Sequence, residues 1–383
     1  MPAAPRPPRL THASGAPTPR GLPGVLAIDA GNSKTDVLLV GEDGTVLGSA
    51  RGGGFRPHVV GARAAVAALA PLVRAAAAQA GLPPGPSTPT ERDTVAELHA
   101  TAGQHVAVEQ RVVAEHTSAC LANADLPIEE ERLRKALEEQ GWTRSVAVRN
   151  DTFGVLRAGT EGPFGVAVVC GAGANCVGLL PDGRTARFPA LGRLTGDWGG
   201  GEVLAAECMW HAVRAEDGRG PATALAPAIA AHFGLPSATR LAEAVHLGEV
   251  ERTRLHEIVP LLFAAATAGD PTAVELVDRQ ADEIVRLAEV ALTRLGLLRT
   301  PTPLVLGGGV LAAYRPLLLD NVAGRLAARA PLAEIRVVTA PPVVGAALLG
   351  LDHLAASRPD GGRAARQRLR AAYPAPLPWP PPA

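Results

Sequence analysis

Apolar residues fall in short runs separated by turns that carry glycine and aspartate. Val25 to Asp29 is one run and ends in a carboxylate; Asp36 to Val40 and Val46 to Ala50 follow, split by AGNSKT and by GEDG. Runs this short between turn residues predict a three-stranded meander. Val60 to Ala80 has helical composition and stops at a proline-rich break from Leu82 to Thr90. Glu91 to Gln110 is polar with weak helical character and predicts an inserted surface helix or loop. Val112 to Leu121 predicts a strand leading to Asn123, Ala124 and Asp125. The next stretch, LPIEEERLRKALEEQG, has an acidic first turn and a glycine stop, as a helix should. Ser145 to Val148 predicts a strand ending at Arg149, Asn150 and Asp151, and the alternation marks an α/β fold.

Gly165 opens a second meander, VAVVCG, NCVGLL and RTARFPA, joined by AGA and PDG. It mirrors the first, because Asp43-Gly44 and Asp182-Gly183 stand at comparable places between the second and third strands. An internal offset of about 140 residues predicts duplicated domains rather than a solenoid. From Gly201 to Leu298 the composition is mainly helical. Pro303 to Leu306 predicts a strand running into Gly307, Gly308 and Gly309, Ile335 to Val338 another, and Val343 to Ala356 a closing helix. Residues 1–22 and 358–383 are rich in proline and arginine without periodicity and read as disordered tails.

With 383 residues, two cores are the starting expectation. Lys plus Arg and Asp plus Glu number 37 each, so no net field draws in nucleic acid or an acidic membrane, and the expected partner is a small molecule. No apolar run reaches the ~18 residues of a membrane span. Met1 to Leu22 lacks the apolar centre of a signal peptide, so the expected compartment is the cytoplasm. Cys120, Cys170, Cys176 and Cys208 form no CxxC array and read as buried, reduced thiols.

Three glycine-bearing turns carry the candidate chemistry. Ile28 to Thr35 joins two strands, unlike a Walker loop, which opens a helix. Gly31 lets this turn approach a phosphate, and Ser33, Lys34 and Thr35 supply donors to its oxygens. Asp29 at the strand end suits Mg²⁺ held through water. The plainer reading is a hairpin turn with a solvated lysine. Cys170-Gly171-Ala172-Gly173-Ala174-Asn175 occupies the equivalent place in the second meander, and two such hairpins facing one another would present N–H groups to one triphosphate. Gly307, Gly308 and Gly309 follow a strand and precede a helix; lacking side chains, they would lie flat against an adenine ring or ribose, or simply make a tight turn. Asp125 is suited to orient an attacking hydroxyl, since phosphoryl transfer needs one such carboxylate, or else to cap the helix after it.

The segments AIDAGNSKTDVLL, SACLANADLPIEEERL, VRNDTFGVLRAG, VVCGAGANCVGL, GDWGGGE and LVLGGGV, spread from Gly24 to Leu349, resemble the N-acetylglucosamine kinase branch of the BadF/BadG/BcrA/BcrD ATPase family. That family also holds the ATPase components of benzoyl-CoA reductase and the activators of 2-hydroxyacyl-CoA dehydratases. The resemblance implies a duplicated ribonuclease-H-like, actin-like ATPase fold with nucleotide in an interdomain cleft. Its N-terminal domain would span 23–144 and its C-terminal domain 145–357, with the closing helix able to pack on the former. ATP phosphates would meet Gly31, Asn32, Ser33, Lys34 and Thr35 from one side and Gly171, Ala172, Gly173 and Ala174 from the other. Adenosine would lie by Gly307 to Gly309, with Mg²⁺ near Asp29.

Asp125 matches the family's catalytic base. Asn123, Asn150, Asp151, Thr152, Asn175 and Asp197 match or flank sugar-side positions, and Asp197 is equally a candidate for metal-bound water. Where the sugar kinases tend to have an asparagine, this chain has Arg56, with His58 close by. A guanidinium cation there suits an anionic substituent such as the lactyl group of N-acetylmuramic acid, or only holds the loop. The expected activity is ATP-dependent phosphorylation of N-acetylglucosamine to its 6-phosphate, by a homodimer. N-acetylmuramic acid, glucosamine or another hexose are alternative substrates. A dehydratase-activator ATPase with a shared iron–sulfur cluster, or a sugar sensor without catalysis, are alternatives of another class.

Overall fold

The computed structural model describes residues 22–82, 112–313, 316–356 and 361–379. The predicted helix or loop at Glu91 to Gln110 and the N-terminal tail through residue 21 lie outside these ranges. The chain divides into two units: residues 1–154 with 342–373, and residues 155–341 with 374–383.

In the first unit, Val25–Ala30 (β1), Thr35–Val40 (β2) and Val46–Gly52 (β3) form the antiparallel meander, and Ala114–Leu121 (β4) and Thr143–Asn150 (β5) add parallel strands in the order β3-β2-β1-β4-β5. Every residue of β1 and β2 is buried. That is why both read as unbroken apolar runs rather than alternating ones, since helices cover both sheet faces. Helix Ala70–Gln79 packs against β3, Pro127–Glu138 against β5, and Pro342–Ala355 against β1 and β4. The parallel register sets Ala30 beside Leu121 and Leu121 beside Asn150, so the segments after β1, β4 and β5 leave the sheet at one edge. Ligand crevices in open α/β sheets form at that carboxyl edge.

The second unit repeats the plan. Gly165–Cys170 (β6), Ala174–Leu179 (β7) and Thr185–Arg187 (β8) make the meander, and Thr302–Gly307 (β9) and Ala333–Val337 (β10) run parallel to β6. The order is β11-β10-β9-β6-β7-β8, with Leu377–Pro378 (β11) added to the edge. The duplicated turns match in detail. Gly44 and Gly183 have φ of 86° and 89°, and Asp43 and Asp182 each accept a bond from the N–H two residues on, at 3.0 Å. The helical half contributes Gly201–Glu216, Leu225–Phe233, Ala238–His246, Val259–Thr267 and Pro271–Arg294. Asp270 caps the last of these by accepting from the N–H of Ala273 at 2.9 Å.

Two expectations are corrected. Strand β5 belongs to the first unit, so the chain passes to the second within the helix Asp151–Gly159 and not before β5, while the closing helix Pro342–Ala355 groups with the first unit as the sequence allowed. The segment 358–383 is not wholly a tail: Arg363–Ala371 is a helix. Its arginines mask a short apolar stripe in which Ala365 and Leu369, four residues apart, are buried, while Arg368 pairs with Asp43. Among the described residues, no helix is long and apolar enough to cross a membrane.

Gly350 seats Pro342–Ala355 on the first sheet, where a Cβ would stand 2.4 Å from Val25 Cγ1 and 3.1 Å from Ser118 Cβ. Gly350→Ala is therefore expected to lower the unfolding free energy by about 1–3 kcal/mol, read by urea unfolding. An unchanged midpoint would mean that the helix does not sit on these strands.

Candidate active site

The turn between β1 and β2 closes through Gly31, whose N–H donates to the carbonyl of Lys34 at 2.8 Å. Its own carbonyl accepts from the N–H of Phe55 at 2.9 Å, tying the segment after β3 to the turn. At Gly54 a Cβ would stand 2.0 Å from the carbonyl oxygen of Asn32, so only glycine permits this approach. The backbone N–H groups of Asn32, Ser33 and Lys34 have no acceptor among the described residues. Ser33 and Lys34 are exposed, whereas Thr35 is buried inside β2. Asn123, held at φ 59°, donates from Nδ2 to Asn32 Oδ1 at 2.9 Å and to the Phe55 carbonyl at 3.5 Å. A non-glycine residue in that region is uncommon and tends to mark a site held by its surroundings. Arg56 and His58 are exposed on the segment just beyond Phe55.

Asp125 follows β4 at the same edge. The capping alternative fails on geometry: the N-cap residue of Pro127–Glu138 is Leu126, and Glu129 Oε2 accepts from the N–H groups of Asp125 and Leu126 at 3.1 and 2.9 Å. The carboxylate of Asp125 instead accepts from Asn150 Nδ2 at 2.8 Å. Asn150 is buried, and its Oδ1 accepts from both the N–H and the Oγ1 of Thr152, at 3.0 and 2.6 Å. Buried Asn150 and Thr152 thus orient Asp125, while Asp125 itself stays half-buried.

Below the turn lies a knot of charge. Asp29 is 6% exposed, and burial together with the carboxylates of Asp151 and Asp36 holds its carboxyl well above the usual range, against the pull of Lys34 and Arg51. Asp151 keeps one side open to solvent, yet burial pushes it up to about 6, opposed by the N–H of Thr152. Asp36 is satisfied by Arg51, through Nε at 2.5 Å and Nη2 at 3.1 Å, and Lys34 Nζ stands 3.7 Å away. Neither Asp36 nor Arg51 was expected in the site, because an aspartate opening a strand and an arginine ending one carry no motif.

In the second unit, Gly171 N–H donates to the Gly173 carbonyl at 2.9 Å. The carbonyls of Gly171 and Ala172 accept from the N–H groups of Gly201 and Glu202, at 2.8 and 2.9 Å, at the start of Gly201–Glu216. In a trans peptide the C=O and the following N–H point opposite ways. With those carbonyls turned toward the helix, the N–H groups of Ala172 and Gly173 face away from it, and neither has an acceptor among the described residues.

Two further glycine turns pack on this one. Gly200 has φ 81°, and a Cβ there would lie 2.4 Å from the carbonyl of Gly173. Gly308 has φ 86°, and a Cβ would lie 2.4 Å from the carbonyl of Cys170. The neighbouring glycines differ in role: Gly307 is buried, where a Cβ would strike Val155 Cγ1 at 2.4 Å, and Gly309 is exposed with nothing within 4 Å.

Ala174 and Asn175 begin β7, and Asn175 Oδ1 accepts from the N–H of Cys176 at 2.7 Å. Half-buried Asp197 accepts from Thr195 Oγ1 at 2.6 Å. The four cysteines are buried and free, and burial pushes the thiols of Cys170 and Cys208 up to about 12.

Residues 26–350 match the BadF/BadG/BcrA/BcrD ATPase family. The N-acetyl-D-glucosamine kinase of Dictyostelium discoideum is 28% identical over 241 residues, 61% of this chain and 75% of that protein. The N-acetylmuramic acid/N-acetylglucosamine kinase of Clostridium acetobutylicum is 24% identical over 190 residues, 50% of this chain and 62% of that one. Crystal structures of candidate N-acetylglucosamine kinases from Chromobacterium violaceum and Porphyromonas gingivalis superpose with TM-scores of 0.62 and 0.58. Each is 21% identical and covers 86% of this chain and 99% of its own, a likeness of fold.

The raised carboxyl of Asp151 keeps its proton in the folded chain at pH values where the unfolded chain has lost it. Stability therefore falls as pH rises from about 4 toward about 6. Asp151→Asn is expected to flatten that slope, leaving the share of Asp29, and to gain about 1–3 kcal/mol at pH 7, read by urea unfolding at several pH values. Parallel pH profiles for the two proteins would contradict the assignment.

Proposed function

The chain belongs to the BadF/BadG/BcrA/BcrD ATPase family, and from that premise we propose that it is an ATP-dependent kinase that phosphorylates an amino sugar, N-acetylglucosamine giving the 6-phosphate. The observation that carries this reading is Asp125. Its carboxylate is oriented by buried Asn150 at the carboxyl edge of the parallel strands, and Asn123 at the same edge is bonded to the β1–β2 turn with its unpartnered N–H groups.

Such N–H groups suit phosphate oxygens, because donors already fixed in place need no reorganisation as charge shifts during transfer. In the reaction the sugar hydroxyl attacks the γ-phosphorus and the bond to the β,γ-bridging oxygen breaks. The hydroxyl proton passes to the Asp125 carboxylate, and ADP leaves. Asn150 would keep that carboxylate aimed at the acceptor, and the turns at Gly31 to Lys34 and Gly171 to Gly173 would hold phosphate.

The raised carboxyls of Asp29 and Asp151 fit a divalent cation, since two acids that disfavour joint ionisation are relieved by a positive ion. We assign Mg²⁺ to Asp29, through water, and it would supply neutralisation of phosphate charge. Arg56 favours a second reading in which the sugar is acidic: it is exposed beyond the tethered Phe55 and has no ion-pair partner among the described residues. The name of the Clostridium relative includes such a sugar, N-acetylmuramic acid.

A coupled assay of ADP release over N-acetylglucosamine, N-acetylmuramic acid, glucosamine, N-acetylmannosamine and glucose tests the proposal. Asp125→Asn is expected to lower kcat by about 10²-fold or more while nucleotide affinity stays within about twofold. Turnover near that of wild type would remove Asp125 from the mechanism, and no turnover of any sugar by the wild type would overturn the kinase reading.

A further inference from the structure

Helix Pro271–Arg294 is amphipathic, and it buries mostly Ala, Leu, Val and Ile. Gln280 stands among them with no exposed surface. A carboxamide in an apolar interior is costly unless its hydrogen bonds are made, so its partners explain its presence. Gln280 Oε1 accepts from the N–H of Gly200 at 2.9 Å, and Nε2 lies 3.7 Å from Cys170 Sγ as donor. Gly199, at φ 112°, is moulded to the same group: a Cβ there would lie 2.6 Å from Gln280 Oε1.

These partners are the two ends of one construction. Cys170 is the residue from which the chain enters the Gly171–Gly173 turn, and Gly200 is the residue pressed onto Gly173. Gly201 and Glu202, next along, hold the carbonyls of Gly171 and Ala172. One buried side chain thus ties the entry of the phosphate turn to the turn that fixes its peptide planes.

We propose that Gln280 is a positioning residue for nucleotide binding, which sets the outward direction of the Ala172 and Gly173 N–H groups without touching the nucleotide. The inference rests on the kinase reading. Gln280 acts through backbone, so its loss loosens donors aimed at phosphate and leaves the sugar side of the first unit unaltered.

Gln280→Met keeps length and volume but no strong hydrogen bond, and Gln280→Glu keeps an acceptor for Gly200 while placing a carboxylate beneath the turn. For Gln280→Met, the KM for ATP and the calorimetric Kd for a non-hydrolysable ATP analogue are expected to rise by about tenfold. The KM for the sugar should stay within about twofold of wild type in the same assay. Gln280→Glu should bind nucleotide weakly at neutral pH and recover as pH falls, because the protonated acid is neutral and regains a donor for Cys170. This pH profile is one that a merely structural role would not create, and it carries the test should Gln280→Met fail to fold. Nucleotide Kd equal to wild type in a folded variant, or equal losses for ATP and sugar, would overturn the proposal while wild-type turnover keeps the kinase reading intact. Wild-type protein that binds no nucleotide overturns both.

Discussion

A backbone N–H left without an acceptor is disfavoured wherever water is scarce, and two glycine turns leave such groups together among the described residues, three at Asn32 to Lys34 and two at Ala172 and Gly173. In the second unit the cause is explicit. The carbonyls of Gly171 and Ala172 are held by the first N–H groups of Gly201–Glu216, so the paired N–H groups must face the other way. Glycine is required at 200 and 308 because backbone lies against backbone there, and both also adopt positive φ. On the proposed reading the arrangement would make this hairpin an anion cradle without a basic side chain of its own. That fits a chain whose charges balance and whose expected ligand is small.

The first unit solves the complementary problem of holding acids close together. Asp36 is ion-paired with Arg51 and stands near Lys34, and the same two cations offset only part of the rise at Asp29. Desolvation raises both carboxyls, and the charges of Asp151 and Asp36 raise that of Asp29 further, a state that a cation would relieve. Asp125 is treated differently. It lies outside this group, half-buried, and takes a hydrogen bond from a neutral amide. On the proposed reading that position, rather than buried Asp29, suits the acceptor of the hydroxyl proton.

Much of this was legible in the residues. The two meanders, the Asp-Gly turns at 43–44 and 182–183 and the strand-to-glycine junction at 306–309 are local patterns, and local patterns are what period and turn chemistry reveal. Asp125 could be proposed but not separated from a helix cap, because the distinction rests on Glu129 reaching back from the first helical turn. Gln280 and Arg51 were illegible: each matters through a partner 80 and 15 residues away, and nothing beside them in the chain marks it. The helix Arg363–Ala371 was hidden by composition, since its two buried residues are outnumbered by arginines. Asn150 and Thr152 were singled out from the residues, but that both are buried and linked by hydrogen bonds to Asp125 is a matter of tertiary packing that local pattern does not reveal.

The central claim is that phosphate is held by backbone donors that the fold leaves open at two hairpins. Amide hydrogen exchange followed by NMR reads those donors one at a time, with and without a magnesium complex of a non-hydrolysable ATP analogue. Exchange at Asn32, Ser33 and Lys34 and at Ala172 and Gly173 is expected to slow when nucleotide is added. Exchange at all five that is indifferent to saturating nucleotide would contradict it.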